Sequence, residues 1–285
     1  MKRNCLSLMI GALLASGPVL AQQTPQPAST AGSTASATNL DSIVVTARKR
    51  EETLQEVPVA VTAFTSEALD RMNVQDLSAL GPQVPNMTIY AARGASSTGA
   101  AYIRGVGQSD PTWGSDPGVG IYLDDVYIAR PQGALLDVFD VSRIEVLRGP
   151  QGTLYGKNTI GGAIKYISRG LPTETEGFAQ ITVGNYSQLD AKAAIGGPIG
   201  GADSGLRARV AVASLNNDGF GENTFNGQPV SDKQIKAARL NLGAYAGDDF
   251  AVQFALDYTD DTSGMRGSKT LAPHPFLPGS PPMRS

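Results

Sequence analysis

The sequence predicts an α+β domain followed by about five antiparallel strands whose pattern fits a transmembrane β-barrel. Three observations lead there. Glycine (33) and proline (18) are abundant, roughly 18% of the chain where about 12% is usual, which argues against a long helical bundle. The second half of the chain alternates apolar and polar residues with a period of two. The links between those alternating runs are short at one end and long at the other.

The chain starts with segments that lie outside the fold. Lys2 and Arg3, the short apolar run Cys5–Leu14, the breakers Gly17 and Pro18, and the end Val19-Leu20-Ala21 read as a cleavable signal peptide over residues 1–21. Its removal takes away the single Cys, and a cysteine-free exported chain fits a bacterial envelope better than a disulfide-stapled secreted domain. Residues 22–40, rich in Gln, Thr, Pro, Ala and Ser, read as a flexible tether, unable to bury a core. Next stands the β-prone heptad Asp41-Ser42-Ile43-Val44-Val45-Thr46-Ala47, ahead of the charged run Arg48-Lys49-Arg50-Glu51-Glu52. An apolar strip on a leash can add itself to another protein's sheet edge, and an ordinary first strand is an equal reading.

Residues 48–170 read as one mixed domain. Val57, Val59, Val61 and Ala63 alternate as a strand. Ser66 is placed to cap a helix ending near Met72, and Asn73 a second helix through Leu80, stopped by Gly81-Pro82. Short strands follow at Ala101–Arg104, Gly120–Leu123, Val126–Ala129, Arg143–Leu147 and Ala163–Ser168, with Asp124-Asp125 as a turn. Ala91–Ala100 and Gly107–Gly118 are glycine-rich loops.

From residue 171 to 285 the period changes to two. Strands are expected at Phe178–Gly184, around Leu189–Ile195, Leu206–Ala213 and Arg239–Tyr245, and at Phe250–Thr259. In the last, Phe250, Val252, Phe254, Leu256 and Tyr258 oppose Ala251, Gln253, Ala255, Asp257 and Thr259. Such alternation suits a half-buried soluble sheet or a transmembrane barrel. The turn at 246–249 is short and the loop at 216–236 is long and polar, the asymmetry of an outer-membrane barrel whose short side is periplasmic.

Several other classes lack support. With 23 basic and 26 acidic groups, nothing in the charge points to nucleic acid. One Cys and one His cannot build a Cys/His metal cage, and no metal site, catalytic residue or cofactor is expected. The stretch Gly149–Asn158 misses the phosphate-loop pattern twice: Gln151 stands where a glycine is required and Asn158 where Ser or Thr is. An envelope hydrolase would need a nucleophile paired with His, and His274 sits alone among prolines.

The motifs of the first domain resemble those of the TonB-dependent outer-membrane receptors. The heptad Asp41–Ala47 looks like their TonB box. Ile103-Arg104-Gly105, the run Val119–Val126, and Ile144-Glu145-Val146-Leu147-Arg148-Gly149-Pro150 continuing to Gly156 and Gly161–Ile164 match their plug signatures. The resemblance implies an α+β plug domain (48–170) followed by the first antiparallel strands, about five, of a 22-stranded transmembrane β-barrel (171–285). It implies a non-enzymatic importer of the bacterial outer membrane. The box (Asp41, Ser42, Ile43, Val44, Val45, Thr46, Ala47) would pair with TonB, the inner-membrane energy transducer. The cargo would be a scarce small molecule, with a ferric siderophore or other iron complex expected on family frequency, and haem, cobalamin or a saccharide as alternatives. The family's plug–barrel charge lock carries over to Arg104, Glu145 and Arg148, although a local ion pair through Glu145 is an equal reading. Outward plug loops make Arg93, Gln108, Asp110 and Trp113 the candidate ligand contacts.

Length is the departure. A transmembrane strand takes about 9–11 residues, and only 109 residues remain from Gly177 onward. Five strands cannot close a barrel, and an open edge in lipid leaves backbone groups unpaired. The expectation is therefore a C-terminally truncated fragment, with a non-transporting remnant that only binds TonB as the competing function.

Overall fold

The computed structural model describes residues 43–92, 95–108, 114, 116–134, 136–201, 204–247 and 250–267. The signal peptide, the tether, Asp41 and Ser42 lie outside the described residues, as do Arg93, Asp110, Trp113 and His274.

The first domain is built on a five-stranded sheet. In chain order the strands are β1 (Val44–Val45), β2 (Glu52–Thr53), β3 (Ala60–Thr65), β4 (Met87–Ala91), β5 (Gly99–Ile103), β6 (Val106–Gly107), β7 (Val119–Leu123), β8 (Val126–Tyr127), β9 (Val141–Arg148) and β10 (Gly162–Ser168). The sheet runs β3-β9-β10-β7-β8, antiparallel except for the parallel pair β10–β7. Alternation sends Ile144, Val146, Ile164 and Tyr166 to one face, where they pack with Leu69, Leu77, Leu80, Ile89 and Ile103. It sends Leu147 and Ala163 to the other, where Val45, Ala47, Tyr122 and Tyr155 cover them. Asp124 (φ 46°) and Asp125 (φ 66°) form the two-residue turn between β7 and β8, as the sequence suggested.

Local signals misplaced two caps. Helix α1 (Ser66–Arg71) is capped one residue earlier than expected, by Thr65, whose hydroxyl accepts from the Ala68 N–H. Asn73 starts no helix; it takes a left-handed turn (φ 50°). The next element is a 3-10 helix, Leu77–Gln83, capped by Asp76 and carrying Gly81-Pro82 inside it. A 3-10 turn tolerates that pair better than an α-helix because fewer backbone bonds depend on it. Strand β4 was not read from the sequence; it pairs with β5, which lies beside the first glycine-rich loop. A second short helix, α2, spans Gly152–Tyr155.

The second half is a single antiparallel sheet. Its strands are β11 (Glu176–Val183), β12 (Leu189–Pro198), β13 (Leu206–Asn217), β16 (Lys233–Ala246) and β17 (Phe250–Asp261), with a small hairpin of β14 (Gly221–Glu222) and β15 (Pro229–Val230) in the long loop. The order β11-β12-β13-β16-β17 follows the chain, as in an up-and-down barrel wall. Among the described residues β11 and β17 each keep one unpaired edge. The register places Ile195, Val210, Leu240 and Leu256 in one row across the sheet. Val210 is 43% exposed on the outer face, whereas Ala211 beside it is 1% exposed on the face toward the first domain. No described helix is long and apolar enough to cross a membrane; β12, β13, β16 and β17, of 10 to 14 residues, are long enough as strands.

Candidate functional site

The end of the heptad is docked on the first domain. β1 pairs with β2, and Val45 (0% exposed) and Ala47 fill the apolar patch over Leu147 and Ala163. Between those apolar positions stands a cross-strand pair of charges, Glu145 on β9 opposite Lys165 on β10, both buried. Thr46 meets them with every polar atom it has. Its N–H donates to Glu145 Oε1 (2.7 Å), Lys165 Nζ donates to its carbonyl (3.0 Å), and its hydroxyl lies within reach of Glu145, Arg143 and Lys165. Tyr155 donates its hydroxyl to the Ala47 carbonyl at 2.7 Å. Burial, then the nearby carboxylates of Asp125 and Glu145, push the Tyr155 phenol up, so it stays a donor throughout the physiological range. Arg143 pairs with Glu145 (2.7 Å) and Asp125 with Lys165 (3.2 Å), leaving the cluster balanced in charge.

Arg104, Glu145 and Arg148 do not converge. Glu145 serves Thr46 and Arg143 on one face of the sheet. Arg104 is exposed in the β5–β6 turn (φ 53°), and its Nη1 lies against Gly149, 3.2 Å from where a Cβ would stand. Arg148 Nε is buried without a hydrogen-bond partner among the described residues. Arg104 thus lies against the glycine that follows Arg148. Of the four candidate ligand contacts, only Gln108 is described; it is half-buried just after β6.

Sequence reasoning missed the contact between the domain and the wall. Arg209 on β13 reaches inward and forks onto Asp140 (Nε to Oδ2, 2.9 Å), with Nη1 on Glu176 at 3.0 Å. Both side chains of the Arg209–Asp140 pair are buried. Lys233 pairs with Asp137, Arg266 with Asp76 (3.0 Å), and Phe139 lies under the Arg239 guanidinium while packing on Leu215 and Ile235. Burial pushes the Asp137 carboxyl up, and Lys233 partly offsets that. The available signal was Arg209 on the polar face of an otherwise small-residue strand. A cavity of about 500 Å³ lies at this contact, between Asp76, Ser96 and Phe139 on one side and Arg239, Asp257 and Asp261 on the other. Its lining mixes apolar side chains such as Leu136, Phe139 and Ile235 with the charged groups of Asp76, Arg239 and Asp257.

A globular domain held by inward-facing cations against a strand wall that is apolar outside defines the class: an outer-membrane barrel with a plug. Residues 53–163 match the family model described as the TonB-dependent receptor plug domain. That match assigns the first domain to the plug domains of TonB-dependent receptors, and the relatives that the chain resembles are outer-membrane receptors of Gram-negative bacteria. The chain is 24% identical to the vitamin B12 transporter BtuB of Photobacterium profundum, over 82% of this chain and 38% of that protein. It is 29% identical to the iron-regulated outer membrane virulence protein of Vibrio cholerae, over 50% of this chain and 22% of that one. Among solved structures, the ferric yersiniabactin uptake receptor FyuA from Yersinia pestis superposes with a TM-score of 0.63 at 25% identity, over 70% of this chain and 31% of that chain. The chain thus spans well under half the length of the relatives it matches.

Proposed function

We propose that this chain is the energy-coupled plug and first barrel wall of an importer that draws on TonB through the heptad Asp41–Ala47 and carries an iron complex, a ferric siderophore in the first instance. The observation that carries the reading is the heptad itself, docked by Val45 and Ala47 on the plug with Val44 left at the surface. A ligand event in the plug can then be felt at a strand that TonB can take. The iron assignment is supported by relatives described as a ferric yersiniabactin receptor and an iron-regulated protein. Cobalamin is the second reading, supported by the BtuB likeness. Arg104 and Arg148 are the plug half of a charge lock, supported by the unpartnered Arg148 Nε and by the exposed Arg104 against Gly149. Arg93, Gln108, Asp110 and Trp113 remain the proposed ligand contacts.

Two measurements test this. The purified periplasmic domain of TonB should capture the chain and its Val44→Ile variant, and lose Val44→Pro, which removes a backbone donor. Cells carrying the gene in its genomic context should take up radioactive ferric siderophore. Uptake of labelled cobalamin without iron would select the second reading, and equal capture of both Val44 variants would remove the TonB assignment.

A further inference from the structure

The two edges of β1 differ. Leu54 N–H donates to the Ile43 carbonyl, and Val44 stands opposite Thr53 and Val45 opposite Glu52. An antiparallel ladder alternates bonded and non-bonded pairs, so β2 uses the backbone groups of Ile43 and Val45. The groups of Val44 and Thr46 face the other edge. At Thr46 that edge is already taken: Glu145 holds the N–H and Lys165 holds the carbonyl. At Val44 it is not taken by β2, and Val44 is 42% exposed.

We propose that Glu145 and Lys165 are a strand stop. A partner strand adding to the free edge of β1 can pair at Val44 and at residues before it, and cannot run past Thr46. The described part of the heptad is then two parts, a reachable strand position at Val44 and a fixed anchor at Thr46–Ala47. Three features support an anchor. Glu145 and Lys165 are opposite one another on the two central strands of the plug sheet, so the groups that grip Thr46 are themselves held by a full ladder. Releasing Thr46 would leave Glu145 and Lys165 buried with fewer partners, which is costly for charges. Tyr155 adds a separate bond at the next carbonyl. A pull on the strand would therefore arrive at β9 and β10 through Thr46. The identity of the partner rests on the TonB reading above; the anchor does not.

Amide hydrogen–deuterium exchange on the intact chain, with residue-level mass spectrometry, tests both. In the wild type, the Thr46 amide should exchange at least about tenfold more slowly than that of Val44. Adding the periplasmic domain of TonB should slow Val44 and the residues before it and leave Thr46 and Ala47 unchanged. Lys165→Met should raise exchange at Thr46 about tenfold while Val146 and Ile164 in the β9–β10 ladder stay protected. If that variant loses the ladder as well, Tyr155→Phe, which deletes one hydroxyl, should still raise exchange at Thr46 with the ladder intact. Thr46 exchanging as fast as Val44 in the wild type would overturn the anchor. So would loss of protection at Thr46 when TonB binds. No added protection at Val44 with TonB, beside a protected Thr46, would overturn the partner and leave the anchor standing.

Discussion

Single residues carry more than their motifs suggested. Glu145 sits in a signature that implied a lock with Arg104 and Arg148, yet its side chain points to the opposite task, holding Thr46. The parity of β9 decides this: Glu145 shares a face with Leu147, the face that Val45 and Ala47 cover. The same parity shows why Val45 is a poor site for testing strand addition. It is fully buried, so a proline there would also break plug packing; Val44 separates the two effects. Gly162 is a second position with one solution. It has φ 150°, and a Cβ would collide with the Leu147 carbonyl and approach Ile103 Cδ1 to 2.9 Å. Gly162→Ala should destabilise the plug by about 1–3 kcal/mol, read as a lower urea midpoint. At the surface, hydrogen bonds from Arg48 and Arg50 pull the Glu52 carboxyl down from 4.5 to about 2. A depressed acid stabilises the folded state above its unfolded pKa, and that contribution fades as pH falls from 4.5 to about 2. Side-chain carboxyl NMR should find the low midpoint, and Arg48→Gln should raise it.

At the scale of elements, the five wall strands follow directly from period two. Even positions of β13, β16 and β17 face outward and odd positions inward, as the exposure of Val210 and Val212 against the burial of Ala211 and Ala213 shows. On β17 the register continues this, because Asp257 lies opposite Arg239 and pairs with it on the inner side. In the completed barrel, Phe254→Arg should therefore cost about 2–4 kcal/mol near the bilayer midplane and block membrane assembly, whereas Gln253→Arg should be accepted. Cysteine labelling in intact cells checks the assignment: water-soluble thiol reagents should reach position 253 or 257 and spare 252 and 254. Reversed or absent alternation would remove the barrel assignment for β17.

For the molecule as a whole, the plug has its own core and the wall holds it by charge. The main apolar cluster draws only on residues between Phe64 and Tyr166, with no member from the wall. Residues 41–168 alone should therefore fold, and an NMR spectrum with random-coil amide dispersion would contradict that. Attachment depends on Arg209. Arg209→Met leaves Asp140 buried without its partner, a change that costs about 3–5 kcal/mol, whereas adding Asp140→Asn should recover most of it. Protease resistance of the plug against urea, in the full chain, is the readout. Two variants equally unstable would show that lost packing, not the uncompensated charge, is responsible.

Alternation along a strand is a local property, so the sequence alone determined the five wall strands, the faces they show, the Asp124-Asp125 turn and most of the plug's short strands. The resemblance carried by residues 103–164 named the family for the same reason: those motifs are contiguous. What lay beyond the sequence depends on residues far apart in the chain. The bonds from Glu145 and Lys165 to Thr46 span 99 and 119 positions, and the one from Arg209 to Asp140 spans 69. A polar residue in a strand reads the same whether water or a buried partner awaits it. Only tertiary packing, by removing the water, turned Thr46 into an anchored residue and Arg209 into the attachment between plug and wall.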